Sequence, residues 1–242
     1  MKTQEVTLKT FKKYGLITGL LYLVIIVCGM YSEMVVRAAL IVPGDAATTV
    51  QNIASNLMLF RMGFVSDLIM VMADVAVALT FYLLLKPVNN GLALLAALFR
   101  LTQSSILGIN LLNHFKAIIL VADGSFANAM GPEAFNAQVM LNINAHSYGY
   151  LIALVFFALS CIILGYLFYK SPLFPKVLGI LLPIAGAGYL IDSFTNFLYP
   201  QYADVTEIIV MVSAIVAELG LCIWLIVKGI IVLKKYRMNT LV

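Results

Sequence analysis

Six apolar stretches, each about 20 residues or longer, run through this 242-residue chain. A helix of that length crosses about 30 Å of hydrocarbon. Inside such a layer no water satisfies the backbone, so each stretch must close its own hydrogen bonds as a helix. The stretches read as spans over residues 14–37, 61–85, 91–120, 138–169, 174–198 and 206–233. The expected fold class is therefore all-α, an integral membrane bundle of six transmembrane helices forming a single domain over residues 1–242. Composition agrees: 63% of residues are apolar and 11% are charged, too few charges to coat a soluble surface of this size.

The basic residues orient the bundle. Lys2, Lys9, Lys12, Lys13, Lys86, Lys170, Lys176, Lys228, Lys234, Lys235 and Arg237 fall on the side of the N-terminus. Only Arg37, Arg61 and Lys116 fall on the opposite side, and Arg100 lies within a span. Such an excess marks the cytoplasmic face. Both termini are thus expected in the cytoplasm, as segments 1–13 and 234–242. The apolar run from Tyr14 to about Tyr31 is too long for a signal-peptide core and lacks an A-x-A cleavage site, so it reads as a retained span. Clustering of the basic residues at span ends also removes any nucleic-acid reading of the net charge of +4.

Two connections on the outer side carry turn signals. Pro43-Gly44-Asp45 predicts a turn, with Asp45 capping a short helix to about Leu57 that lies on the membrane surface. Residues 121–137, with Gly124, Gly131 and Pro132, read as a second outer loop. Pro183 falls inside the fifth span and predicts a kink. Tyr82–Pro87 echoes Tyr166–Pro172 at two inner span ends. Either a repeated hairpin or a shared boundary composition accounts for the echo.

Ionisable groups inside hydrocarbon cost at least a few kcal/mol each and need a partner, water or a purpose. Asp67 and Asp74 lie in span 2, Arg100 and His114 in span 3, His146 in span 4, Asp192 in span 5 and Glu218 in span 6. Their spacing is helical. Arg100, Gln103, Asn110, Asn113 and His114 share one face, as do Asp67 and Asp74, and Asn142, His146 and Tyr150. Gly188, Asp192, Thr195 and Asn196 form a stripe on span 5. At 1.5 Å per residue, Asp74 and Arg100 lie about 18 and 15 Å from the inner boundary and can meet, with Glu218 at similar depth. This charged cluster is either an ion-pair network that fixes helix register or a place for a proton or cation. Asp67, Asn110, Asn113, His114, His146, Asp192, Asn196, Glu33 and Arg37 fall in the outer half, where they are expected to line a water-filled pocket open to the outside.

Solute-binding candidates are therefore Asp67, Asp74, Arg100, Asn110, His146, Asp192 and Glu218. No cofactor is predicted. Two imidazoles and a carboxylate can hold zinc, which makes His114, His146, Asp67 and Asp192 an alternative metal set, although no HExxH-like spacing is present. His114 also reads as a residue at the outer water boundary beside Lys116. Cys28, Cys161 and Cys222 sit in apolar runs with no metal or CxxC spacing and read as small core residues. Phosphate loops and nucleophile elbows are absent.

Several segments resemble one family in the right order. They are Arg37-Ala-Ala-Leu-Ile-Val-Pro-Gly-Asp45, Phe60-Arg-Met-Gly-Phe-Val-Ser-Asp67, Ala93-Leu-Leu-Ala-Ala-Leu-Phe-Arg100, His146-Ser-Tyr-Gly-Tyr150 and Gly188-Tyr-Leu-Ile-Asp-Ser-Phe194. Over about residues 10–232 the chain resembles the DUF4386 group of bacterial polytopic membrane proteins, whose function is not established. The resemblance implies six spans and a multi-pass protein of the bacterial cytoplasmic (inner) membrane, and carries no catalytic role. The leading functional expectation is a carrier or binding protein for a small polar or ionic solute. The alternatives are a membrane-embedded hydrolase or transferase using His146 with Asp67 and Asp192, and a non-catalytic subunit or regulator. Expected partners are the lipid bilayer and a small polar solute or proton, with a homo-oligomer left open.

Overall fold

A computed structural model describes the backbone of residues 2–239 and the side chains of residues 10–233. The terminal segments with Lys2, Lys9, Lys234, Lys235 and Arg237 therefore lie outside the described side chains. The described chain is helical throughout and has no strand. Helix α1 covers Lys2–Met30, passes through a π-helical segment at Tyr31–Arg37 and ends as α2, Ala38–Leu40. There follow α3 (Ala46–Ser55), α4 (Leu57–Leu85), α5 (Asn90–Ala122), α6 (Gly124–Met130), α7 (Pro132–Lys170), α8 (Lys176–Leu198) and α9 (Ala203–Asn239).

Among the described residues, six helical segments are long and apolar enough to cross a membrane: Thr10–Leu40, Leu57–Leu85, Asn90–Ala122, Pro132–Lys170, Lys176–Leu198 and Pro200–Leu233. The protein is a multi-pass membrane protein. Many large apolar side chains, among them Met72, Leu79, Ile109 and Val205, face outward, as a lipid-facing surface requires. The fourth span starts six residues before the sequence reading puts it. Pro132 occupies the first helical turn, where its missing N–H costs nothing, and Glu133 suits the positive end of the helix. The connection between the third and fourth spans is correspondingly shorter and holds α6, capped by the Asp123 carboxylate, which accepts from Ser125 N at 2.9 Å. Helix α8 runs through Pro183 without a break.

The helices divide into two compact units, each assembled from separate stretches of chain. The first comprises residues 1–23, 73–103 and 152–242. Its packing relies on close backbone approach. A Cβ on Gly165 would lie 2.2 Å from the Pro183 ring, and one on Gly179 would lie 2.6 Å from the Tyr169 backbone. These two glycines let α7 and α8 touch. Phe11, Phe168, Phe174 and Trp224 stack at one end of this unit. Lys86 lies over the Tyr82 ring and Lys170 over the Tyr166 ring, so the two echoed segments make the same cation–π contact.

The second unit comprises residues 24–72 and 104–151. Its apolar core joins Val36, Leu40, Val50, Ile53, Phe60, Ala117, Ile118, Phe135, Val139 and Ile143. Asp45 caps α3 as its sequence predicts, accepting from Thr48 N at 2.9 Å and Thr48 Oγ1 at 2.6 Å. Those hydrogen bonds hold the Asp45 carboxyl below the usual aspartate range. Helix α3 does not simply rest on a membrane surface. Thr49 is fully buried and bonds both polar backbone atoms of Val42, while Val50 and Ile53 enter the core. The reason is an apolar stripe on α3 that the polar residues Thr48, Gln51 and Asn52 obscure in the sequence.

Candidate functional site

In the first unit, Arg100 is 2% exposed and pairs with Asp74. Its Nε donates to Asp74 Oδ1 at 2.8 Å and a terminal nitrogen donates to the same oxygen at 2.5 Å. The guanidinium also lies over the rings of Tyr22 and Phe157, with centroids at 5.3 and 5.0 Å. Glu218 is held differently. Tyr22 Oη donates to Glu218 Oε2 at 3.1 Å, and Tyr189 Oη donates to Oε1. The sequence reading places Asp74, Arg100 and Glu218 at one depth but gives no role to the two phenols. Tyrosines near span ends read as interface anchors; Tyr22 instead lies well inside span 1 and is 1% exposed. Asp192, also in this unit, accepts from Thr206 Oγ1 at 2.7 Å and from Asn196 Nδ2 at 3.3 Å.

The second unit holds the other candidates. Span 1 and α4 meet where Ser32 Oγ donates to Gly63 O at 2.9 Å. A Cβ on Gly63 would come within 2.9 Å of Val36, so the missing side chain sets the approach. One turn further, in the π-helical segment, Arg37 reaches two acids. Its Nε donates to Glu33 Oε2 and its NH1 donates to Asp67 Oδ2, each at 2.7 Å. Glu33 is largely exposed, whereas Asp67 is 2% exposed. A wider turn in a helix re-aims side chains, and such turns recur at functional positions.

His114 and His146 stand beside Asp67. One ligating atom from each of Asp67, His114 and His146 lies within 4.8 Å of the other two. The His114 ring stacks on Phe60 with centroids 4.2 Å apart and meets the His146 ring edge-on at 5.5 Å. His114 Nε2 lies 3.1 Å from Phe60 O. His146 Nδ1 lies 3.3 Å from Asn110 Nδ2 and 3.4 Å from Asn110 O. Asn110 Nδ2 donates to His146 O at 2.7 Å, and Asn113 Nδ2 donates to Asn110 Oδ1 at 3.1 Å. Gly149 makes room for this asparagine, since a Cβ there would fall 2.1 Å from Asn110 Oδ1.

Two sequence expectations need correction here. His114 is not at a water boundary; it is 2% exposed. Nor are four of the residues expected to line a water-filled pocket open to water. Asp67, Asn110, His114 and His146 are each 6% exposed or less, because their side chains and neighbouring carbonyls satisfy one another in place of water. One atom stands apart: Asp67 Oδ1 is buried and has no hydrogen-bond partner among the described residues. Gln103 Oε1 is the other buried side-chain oxygen in that position. The metal set expected from sequence included Asp192, but the cluster found is Asp67, His114 and His146. Cys28, Cys161 and Cys222 are free, and Cys222 lies against the Gly19 carbonyl, in keeping with a packing role.

An uncharacterized protein of Archaeoglobus fulgidus is 30% identical over 161 residues, a stretch covering 66% of this chain and 80% of the relative. No solved structure matches. The model of a domain of unknown function, DUF4386, matches residues 17–229, which takes in most of the first and last spans, all of the other four and every site residue above. The chain belongs to the DUF4386 family.

Proposed function

We propose that this protein binds a small ionic solute within its membrane-spanning core and carries it across the cytoplasmic membrane, with both termini in the cytoplasm. The second unit supplies the binding groups: Asp67, His114 and His146, with Asn110 as the residue that holds His146. The observation that supports this reading is the buried, unpartnered oxygen of Asp67 beside two imidazoles. A carboxylate oxygen left unsatisfied away from water is costly, and a cation placed there would relieve the cost. In the first unit Arg100 is paired with Asp74, and Glu218 accepts from the phenols of Tyr22 and Tyr189, so these groups already have partners. Because the binding groups are enclosed, passage requires the helices to open by turns to each side.

Reconstitution in lipid vesicles tests this. With a panel of monovalent and divalent cations presented outside, vesicles carrying the protein should take up at least one ion faster than protein-free vesicles. Asp67→Asn should remove that difference, while Asp192→Asn should leave it. Uptake that no ion in the panel shows, or that persists in Asp67→Asn, would contradict the reading.

A further inference from the structure

The second unit contains more than a buried acid. Each residue of the Asp67, His114 and His146 cluster is held through one of its polar atoms and has a second one left. Arg37 NH1 occupies Asp67 Oδ2, so Oδ1 remains. The Phe60 carbonyl takes His114 Nε2, which leaves Nδ1 as the nitrogen able to offer a lone pair. In the tautomer whose Nδ1–H donates to the Asn110 carbonyl at 3.4 Å, His146 keeps its lone pair on Nε2. Metal-binding histidines are characteristically oriented this way, with the second ring nitrogen hydrogen-bonded to a carbonyl or amide. The ligating carboxylate is likewise fixed by a neighbour, here a guanidinium.

We propose that Asp67 Oδ1, His114 Nδ1 and His146 Nε2 form a binding site for a divalent transition-metal ion of the zinc class, with a fourth position left for an exchangeable ligand. This rests on the small-ion reading above and names the ion. Donor chemistry selects the class. Two imidazole nitrogens and one oxygen suit zinc and its first-row neighbours, whereas calcium and magnesium prefer oxygen shells. The size is close to right. Bonds of about 2.0–2.2 Å in a tetrahedral site put ligand atoms about 3.4 Å apart, so a spread within 4.8 Å closes by small rotations of the two rings. Burial also fits: Phe60 stacked on His114 and Phe64 edge-on to it exclude competing water. Formal charge explains the open position. Glu33, Arg37 and Asp67 together carry one negative charge, and a divalent ion turns that into one positive charge. An anionic fourth ligand restores neutrality, which a membrane interior favours. Exchange of that ligand is then the step at which the ion enters or leaves.

The test uses the purified full chain in detergent, with Zn²⁺ measured by equilibrium dialysis and Co²⁺ by its absorption spectrum. One ion per chain should bind, and Zn²⁺ should raise the thermal unfolding midpoint. Asp67→Asn, His114→Gln and His146→Gln should each weaken binding at least about tenfold, while Asp192→Asn should bind as the parent does. Size-exclusion profiles of the three variants distinguish lost binding from lost folding; if any one is misfolded, the remaining variants and the parent's Co²⁺ spectrum, which reports nitrogen ligation, carry the decision. Zn²⁺ affinity unchanged in the folded variants would overturn the assignment. Absence of Zn²⁺ and Co²⁺ binding, with vesicle uptake of another cation still dependent on Asp67, would overturn the metal and leave the small-ion reading standing. Absence of both would overturn both.

Discussion

Arg100 shows how far a single residue can be read. Its depth relative to Asp74 follows from helix rise and the short connection between α4 and α5, and the ion pair forms as that depth requires. Removing one member of a buried pair typically costs about 3–5 kcal/mol, because the other charge is stranded. Arg100→Ala should therefore lower the unfolding midpoint in detergent more than Arg100→Leu combined with Asp74→Leu. A double variant at least as unstable as the single would show that the pair is not held as an isolated couple. What the sequence does not show is how Glu218 is satisfied. Its partners Tyr22 and Tyr189 are phenols, residues that pass unnoticed in an apolar run because their rings pack like any aromatic side chain. The same limit applies to His114. Lys116 nearby suggests water, but a lysine two residues on points to a different side of the helix.

At the scale of the element, the Asp45 cap was the legible feature. Asp123 and Pro132 read only as part of a loop, yet one caps α6 and the other opens α7. The π-helical segment at Tyr31–Arg37 was not legible, since no residue type demands it; it follows from the packing of span 1 on α4 around Ser32 and Gly63. Yet this segment delivers Arg37 to Asp67, so part of the site depends on a tertiary contact that periodicity cannot reveal. Gly149 belongs to the same class. It reads as a helix-weakening residue, but it is the space into which Asn110 fits. Gly149→Ala should cost about 1–3 kcal/mol through crowding. Combined with Asn110→Ala, which vacates that space, it should cost less than the sum of the two single changes. Strict additivity in thermal or denaturant unfolding would mean that Asn110 does not occupy the position beside Gly149.

For the whole molecule, the apolar runs specify six crossing helices, and the structure supplies six segments able to cross. The candidate residues follow from the cost of charge in hydrocarbon; Asp67, Asp74, Arg100, Asn110, His146 and Asp192 are buried and Glu218 is half-buried. Their division between two units does not follow. Asp67 and Asp74 share a helix face, yet one belongs with the histidines and the other with Arg100, a separation that linear spacing cannot express. Orientation rests on the lysine and arginine asymmetry. Reporter fusions at residue 242 should be cytoplasmic, and fusions within residues 123–136 should be on the opposite side. A C-terminal reporter on the outer side would overturn the proposed orientation.

The central claim is that Asp67, His114 and His146 bind one ion together. Anomalous scattering at the zinc absorption edge, from crystals of the full chain grown with Zn²⁺, tests it most directly. The account predicts one peak about 2.0–2.2 Å from Asp67 Oδ1 and from a ring nitrogen of each histidine, and no peak there in Asp67→Asn. Zinc found only elsewhere on the chain, with these three side chains unliganded, would contradict it.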